Sequence, residues 1–119
     1  MTEPSYIIVL PWPPSTNTYY RSVLGRTILS SKAREFKTAV QACVLSNGPI
    51  PHFDGRLKVL IKLAQPTRKV IDIDNRIKPT LDALVNAGVM DDDSQVDELT
   101  VVRIPIVKDG KCFVYIWEI

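Results

Sequence analysis

The segment from Leu57 to Ala64 constrains the fold more than any other part of the sequence. Apolar side chains occupy alternate positions along it, and two lysines stand between them: the apolar residues are Leu57, Val59, Ile61 and Leu63. This period of two predicts a β-strand that has one face against a core. Such a strand needs neighbouring strands and a second layer of structure over its apolar face.

Helices before and after this strand can supply the second layer. The first begins at Ser30 or Ser31 and ends at Asn47-Gly48, and its apolar residues recur at helical spacing: Ala33, Phe36, Val40, Cys43 and Val44. The second begins at Asp74 or Asn75 and ends at Gly88, with the apolar stripe Ile77, Leu81, Leu84 and Val85. Pro79 fits this helix if it lies within the first turn.

Three further strands complete the predicted sheet. The β-branched run Tyr6–Leu10 stops at Pro11, and two closing runs, 99–107 and 111–118, flank Asp109-Gly110. Asp-Gly between alternating apolar runs predicts that the closing strands pair as a hairpin. Pro105 predicts that the first of them is an edge strand or carries a bulge. The order β-α-β-α-β-β indicates an α+β fold: one domain over residues 1–119, with a mixed sheet packed against two helices.

The composition excludes several classes of function. The 119 residues are the length of one domain. No apolar run approaches the ~18 residues of a membrane span, and residues 1–4 do not open a signal peptide, so we expect a cytoplasmic protein without a membrane partner. One histidine, His52, and two cysteines, Cys43 and Cys112, disfavour zinc sites and His-based triads. The lack of a Gly-rich phosphate loop predicts no nucleotide cofactor.

The net charge of +2 hides an uneven distribution. Residues 1–71 carry ten basic and three acidic side chains, whereas residues 72–98 carry two basic and eight acidic ones. Scattered Lys and Arg are commonly solvated surface. Here, however, Tyr19 and Tyr20 precede Arg21, and aromatic rings beside cations suit stacking on unpaired bases as well as phosphate contact.

The acidic block contains two groups of aspartates. Asp72 and Asp74 share one face of an extended segment that leads into the second helix. The triplet 91–93 lies beyond the other end of that helix, roughly 20 Å away, so it must fold back or come from another subunit to meet the first pair. If the two groups meet, their oxygens suit Mg²⁺ or Mn²⁺, which can activate water. Lys78 lies on the same helix face as Asp74 and can neutralise charge on a phosphate.

Simpler interpretations of these carboxylates stay open. Asp-x-Asp before a helix is often an N-cap arrangement, and three aspartates in a polar loop are usually a solvated turn. A calcium loop of the EF-hand type lacks its required Gly and terminal Glu. Three function classes remain: a nuclease, a non-catalytic DNA-binding protein with a structural acidic cluster, and a Mg²⁺-dependent phosphatase acting on small molecules.

Three blocks of sequence, in order, resemble the RusA family of phage-borne Holliday junction resolvases over nearly the whole chain. The first is Leu10-Pro11-Trp12-Pro13-Pro14-Ser15-Thr16-Asn17, followed by Tyr19-Tyr20-Arg21 and Gly25-Arg26-Thr27. The second is Asp72-Ile73-Asp74-Asn75 with Lys78. The third is Asp82-Ala83-Leu84 up to Gly88, and then Asp92-Asp93-Ser94-Gln95-Val96. Two positions depart from the family pattern: Ile71 stands where an Arg is common, and Asp91 is an extra acid.

The resemblance implies a homodimeric, Mg²⁺-dependent endonuclease, for which Mn²⁺ can substitute. It would resolve four-way junction DNA by paired symmetric nicks in recombination and repair. The catalytic and metal-binding aspartates would be Asp72, Asp74 and Asp93, and Lys78 the catalytic lysine. Asn75 and Asp92 match supporting positions. The predicted DNA-binding residues are Asn17, Tyr19, Tyr20, Arg21, Arg26, Arg68, Lys69 and Arg76.

Overall fold

A computed structural model describes residues 2–119, which form six strands and two α-helices. The strands are β1 (Tyr6–Leu10), β2 (Tyr20–Val23), β3 (Arg26–Leu29), β4 (Leu57–Ala64), β5 (Val96–Ile104) and β6 (Lys111–Glu118). The helices are α1 (Ser31–Ser46) and α2 (Ile77–Asn86). This confirms the α+β class and the predicted order of the main elements. None of the helices in the described residues is long and apolar enough to cross a membrane.

Four strands form a mixed sheet in the order β1-β6-β4-β5, in which β4 runs parallel to β5 and antiparallel to β6. The predicted hairpin between the closing strands is therefore wrong, because β4 lies between them. Asp109 and Gly110 do have the positive φ angles of a tight turn, 67° and 73°. The chain nevertheless crosses the end of β4 before that turn, since the Val107 amide bonds the Gln65 carbonyl at 3.1 Å. Strand β5 ends at Ile104 and is an edge strand, as Pro105 predicted.

Both helices pack on one face of this sheet. Alternate residues of the strands point toward them, so that the burial of β4 repeats every second position. The core joins Phe36, Val40 and Val44 of α1 and Leu84 of α2 to the inward strand residues Ile8, Ile61 and Val114. Each such side chain stabilises the fold by about 1.5–3 kcal/mol through burial alone. Cys112 is in the core and Cys43 packs against it, and both are free thiols.

A second, small sheet was not predicted. Strands β2 and β3 pair antiparallel around Leu24 and Gly25, whose φ angles are 50° and 75°. Positive φ at both central residues is the geometry of a two-residue hairpin turn. The Leu-Gly pair is a weak signal of such a turn because only the glycine favours that backbone. The hairpin follows the proline-rich loop, residues 11–15, and projects the basic residues Arg21 and Arg26.

The start of α2 differs from the prediction in an informative way. Residues Ile73–Arg76 form a 3₁₀ turn, and the α-helix begins only at Ile77. Pro79 is then the third residue of α2, where its missing N–H removes no intrahelical hydrogen bond. The helix ends as expected near Gly88, whose φ is 85°. The two acidic groups therefore flank a short helix of 10 residues.

Candidate active site and DNA-binding surface

The first acidic turn is the 3₁₀ turn Ile73–Arg76 together with Asp72, which precedes it. Ile73 packs against the core, whereas Asp72 and Asp74 are exposed. Asp72 occupies the N-cap position with extended backbone (φ −88°, ψ 131°) but its side chain makes no capping hydrogen bond. The N-cap interpretation is therefore wrong for Asp72. Both carboxylates point away from the core and form no ion pair within residues 2–119.

Neighbouring segments hold the backbone of the first acidic turn in place. The Thr16 hydroxyl donates to the Asn75 carbonyl at 2.8 Å, and Arg103 donates to the Ile71 carbonyl at 2.7 Å. Arg76 closes the turn by donating to the Pro13 carbonyl at 2.8 Å. The proline-rich loop and edge strand β5 thus fix the main chain of this turn, while its two carboxylates stay unbonded.

The second acidic turn comprises Asp91, Asp92 and the 3₁₀ turn Asp93–Gln95. The Asp92 carboxylate accepts from the Ser94 amide at 3.0 Å. The Ser94 side chain, followed by this amide, lowers the pKa of Asp92. The buried Gln95 side chain accepts from the amides of Asp91 and Asp92 at 2.7 and 2.8 Å. Its amide nitrogen donates to the carbonyls of Phe53 and Gly55 at 3.0 and 2.8 Å. Asp92 is therefore a structural cap of this turn.

Sequence reasoning named Gln95 only as part of a motif and missed its role. The available signal was the spacing of Asp92 and Gln95, since an N-cap residue followed three positions later by Gln is a capping box. The structure forms this box in both directions. What the spacing does not reveal is the second task of Gln95, which is to bond the loop before β4.

Lys78, the second residue of α2, contacts the second acidic turn. Its Nζ lies 3.1 Å from Asp93 Oδ2 and 3.0 Å from Asp82 Oδ1. The triplet of aspartates therefore folds back to the start of α2 within one chain, but it does not meet Asp72 and Asp74. Hydrogen bonds to Asp82 and Asp93 raise the pKa of Lys78 above its usual range. Asp82 was not among the predicted site residues, although its i+4 spacing from Lys78 was a usable signal.

The carboxylates do not form a ready-made metal cage. Within residues 2–119, no three acidic, histidine or cysteine side chains are grouped closely enough to hold a metal ion. Asp93 is paired with Lys78, and the crowding considered from the sequence is absent. The donor chemistry still fits a hard cation, because Asp72 and Asp74 offer exposed, unpaired carboxylate oxygens on one turn.

The predicted DNA-binding residues fall into two groups, of which the first is exposed. Asn17 precedes the β2–β3 hairpin, which carries Tyr20, Arg21 and Arg26, while Arg68 and Lys69 lie on the loop after β4. Tyr20 is 45% exposed and can meet a base. These positions agree with a DNA-contacting role, which stays a prediction.

Tyr19 and Arg76 form the second group, whose side chains are at least half-buried. The Tyr19 ring is fully buried and meets Tyr20 edge-on at 4.9 Å. Burial, followed by the nearby charge of Asp82, raises the pKa of Tyr19 to about 12. The expectation that Tyr19 stacks on DNA is therefore wrong in this structure, because its ring belongs to the interior. Arg76 is half-buried, and its guanidinium lies 5.1 Å from the centre of the Trp12 ring.

The fold and the site together define a class of protein. A lysine at the start of α2 holds one acidic turn, the exposed carboxylates of the other turn precede the same helix and suit a hard cation, and neighbouring loops carry exposed cations. Cation-binding carboxylates serve hydrolysis of a phosphodiester, and a cationic surface holds a polyanion. This combination is that of a small nuclease.

Comparison with known proteins gives the family. The family model of the endodeoxyribonuclease RusA matches residues 11–116. The crossover junction endodeoxyribonuclease RusA of Escherichia coli strain K12 is 37% identical over 115 residues, which cover 96% of this chain and 95% of that relative. The corresponding protein of Enterobacteria phage 82 is 36% identical over 114 residues, with the same coverage. The chain belongs to the RusA family of endodeoxyribonucleases, as the three sequence blocks predicted.

Proposed function

We propose that this chain resolves four-way DNA junctions by Mg²⁺-dependent, paired symmetric nicks in recombination and repair. The observation that carries the proposal is the position of Lys78, which draws the second acidic turn toward the helix that the first acidic turn begins. The junction substrate comes from the names of the relatives that match almost the whole chain.

Asp72, Asp74 and Asp93 are the residues that would hold the metal, with Mn²⁺ as a possible substitute. When bound, Mg²⁺ would supply an activated water and charge stabilisation at the phosphate. Asp72 and Asp74 are free to bind a cation because neither is engaged in an ion pair. Asp93 would have to turn from Lys78, and its position on an anchored backbone limits that movement to the side chain.

Lys78 would act as a fixed positive charge. Because its carboxylate partners raise its pKa, it stays protonated throughout the pH range in which DNA is stable. Such a lysine is a poor proton donor and a good hydrogen-bond donor to a phosphate oxygen. We therefore assign it to the scissile phosphate rather than to protonation of the leaving oxygen. Asp82 would hold the ammonium in place when a substrate or metal draws Asp93 away.

Paired nicks require two sites. One chain presents a single pair of acidic turns, and a homodimer with two-fold symmetry would present two equivalent ones to a junction of matching symmetry. Light scattering on the purified chain, alone and with junction DNA, tests this part of the proposal directly. We place the activity in the cytoplasm of a bacterial or phage-infected cell, where its DNA substrate resides.

The test is cleavage of a synthetic four-way junction by the Asp74→Asn variant. We expect cleavage with Mg²⁺ to fall by on the order of 10²-fold or more, the scale on which electrostatic stabilisation acts. Junction binding without metal should be retained, because the substitution removes no cation. Asp109→Asn is the matched control, since Asp109 is exposed in a distant turn and Asn tolerates its positive φ.

Two results would contradict the proposal in different ways. Cleavage by Asp74→Asn at the wild-type rate would remove the first acidic turn from the chemistry. Binding without cleavage by the wild-type chain would instead favour a junction-binding protein. That alternative has support in the structure, since the second acidic turn has the capping bonds of a structural element.

A further inference from the structure

A cavity of about 610 Å³ opens beside the first acidic turn. It lies between the proline-rich loop, the first half of α1 and the loop after β4. Its apolar wall includes Trp12 and Phe36, and its charged lining consists of Lys32, Lys69 and Arg76 against one carboxylate, Glu35. The volume falls within the range of small-ligand sites, ~300–1,000 Å³. A basic lining with an aromatic wall selects a ligand that is both anionic and flat.

Arg76 gives the cavity an unpaired charge. No carboxylate within residues 2–119 lies within salt-bridge distance of its half-buried guanidinium. One guanidinium nitrogen donates to the Pro13 carbonyl, and Nε is buried without a hydrogen-bond partner. Burial lowers the pKa of Arg76, in keeping with this incomplete compensation. The Trp12 ring, whose centre lies 5.1 Å from the guanidinium, offsets part of the cost of this half-buried cation. No anion offsets the rest within residues 2–119, and phosphate is an anion that the guanidinium fork matches.

The position of the cavity connects it to the acidic site. Arg76 ends the same 3₁₀ turn that carries Asp74. Arg76 bonds the proline-rich loop to this turn, and Thr16, which follows that loop, bonds the Asn75 carbonyl, so the cavity wall is tied to the turn that carries the carboxylates. A DNA strand whose phosphodiester reaches Asp74 would therefore pass close to the cavity, which Arg76 lines.

We propose that this cavity holds one unstacked nucleotide of the DNA substrate, with its base against Trp12 and its phosphate near Arg76. The inference rests on the proposed function, because the nucleotide is part of the junction being cut. A four-way junction suits such binding, since bases at the exchange point are more easily unstacked than those within a duplex. Stacking on the Trp12 ring would then replace the stacking that the base loses with the adjacent bases.

The first test fills the cavity. Ala39 lies in its wall, and Ala42 is exposed one turn further along α1. We expect Ala39→Phe to weaken junction binding in EDTA by about tenfold or more, the scale of lost base–aromatic stacking. Ala42→Phe, the matched control on the same helix, should bind as the wild type does. Equal affinities for Ala39→Phe and the wild type would overturn the proposal.

The second test identifies the occupant. Junctions in which each base near the exchange point is removed in turn should reveal one position per strand where wild-type binding weakens. With Ala39→Phe that position should lose its effect, because both changes remove the same contact. Additive effects of the two changes, or the lack of any such position, would contradict the proposal.

A third measurement does not depend on how well Ala39→Phe folds. The chain has two tryptophans, and Trp117 is buried elsewhere, with its ring nitrogen bonded to the Thr2 carbonyl. In Trp117→Phe, emission therefore reports on Trp12 alone. Junction DNA should quench it, and the junction lacking the critical base should not. Equal quenching by both junctions, or none by either, would overturn the proposal.

Failure of the cavity proposal is distinguishable from failure of the proposed function. If the wild type cuts junctions with Mg²⁺ while Ala39→Phe binds them normally, only the cavity proposal fails. If the wild type neither binds nor cuts junctions, both fail. If Ala39→Phe changes the oligomeric state but not DNA affinity, the cavity is a protein contact and the nucleotide is excluded.

Discussion

The two acidic turns of this chain differ in how their carboxylates are held. In the first, Asp72 and Asp74 form no hydrogen bond or ion pair that restrains them, although the backbone beneath is anchored. In the second, Asp92 caps the turn and Asp93 pairs with Lys78. The buried Gln95 side chain holds the second turn by accepting hydrogen bonds from the amides of Asp91 and Asp92.

This difference indicates a division of roles. Free, exposed carboxylates can rotate toward an incoming cation, whereas capped ones keep a backbone in one place. The first turn then supplies ligands and the second supplies the framework that brings one further ligand, Asp93, to the site. Lys78 holds Asp93 of the second turn at the start of α2, and its other partner, Asp82, belongs to neither turn. The following changes test each part of this division.

The largest expected effect on stability comes from removing Gln95. Gln95→Ala removes four hydrogen bonds and leaves the Asp92 amide and the Gly55 carbonyl without these partners, whereas the Asp91 amide and the Phe53 carbonyl keep their mutual bond at 3.3 Å. We expect a loss of about 2–3 kcal/mol from the free energy of unfolding. Cleavage should fall as well, because Asp93 loses its fixed position. Urea unfolding measures the first effect and the junction assay the second.

Thr16→Val is the matched change for the first acidic turn, because it removes the single hydrogen bond from the Thr16 hydroxyl to the Asn75 carbonyl of that turn. Its expected cost is smaller, about 1 kcal/mol. Gln95→Glu should cost at least as much as Gln95→Ala, because a buried carboxylate oxygen would then face the Phe53 and Gly55 carbonyl oxygens to which the amide now donates. Equal losses for Gln95→Ala and Thr16→Val would mean that the two turns are held alike.

Asp82→Asn should have an intermediate effect on activity. The Lys78 ammonium would lose its strongest partner, so that its pKa moves down toward the ordinary value and its position becomes less certain. We expect cleavage to fall about tenfold, since misplaced groups lose part of their effect. NMR titration of Lys78 and the junction assay measure the two changes separately.

The control for this assignment is the pair of changes made together. If Asp82 acts only through Lys78, then the single variant Lys78→Gln and the double variant with Lys78→Gln and Asp82→Asn should cleave equally slowly. A double variant that is slower by the product of both effects would instead give Asp82 an independent role. Unchanged cleavage by Asp82→Asn would exclude it as a positioning residue.

The sequence predicted the positions of the strands and helices better than it predicted which strands pair. Periodicity placed β1, β4 and α1 closely because each has one strongly apolar face. It misplaced the partner of β6, since the Asp109-Gly110 turn has the right backbone yet joins strands on either side of β4. Turn chemistry is local, whereas strand pairing depends on which strand fills the centre of the sheet.

The site was predictable to a similar degree. The motif spacing and the family resemblance predicted Asp72, Asp74, Lys78 and Asp93 as site residues, of which the structure brings Lys78 and Asp93 into contact. The burial of Tyr19 was not predictable, since an aromatic beside a basic residue fits a core position and a DNA contact equally well. The ion pair of Lys78 with Asp82 was predictable, because both residues lie four positions apart within the predicted second helix.

The smallest effect should come from the cap itself, and it has a distinctive dependence on pH. The hydrogen bond from Ser94 lowers the pKa of Asp92, so its stabilising contribution is present above the ordinary pKa of an aspartate and is lost as the pH falls through the lowered value. Asp92→Asn keeps a capping oxygen but carries no charge. The urea midpoints of the wild type and this variant should therefore differ slightly near pH 6 and converge at acid pH, as the pH falls through the lowered pKa of Asp92. Ser94→Ala separates the two contributions of Ser94, because it removes the side-chain hydroxyl and retains the backbone amide that donates to Asp92. A difference that persists at low pH would show that Asp92 acts through the shape of its cap and not through its charge.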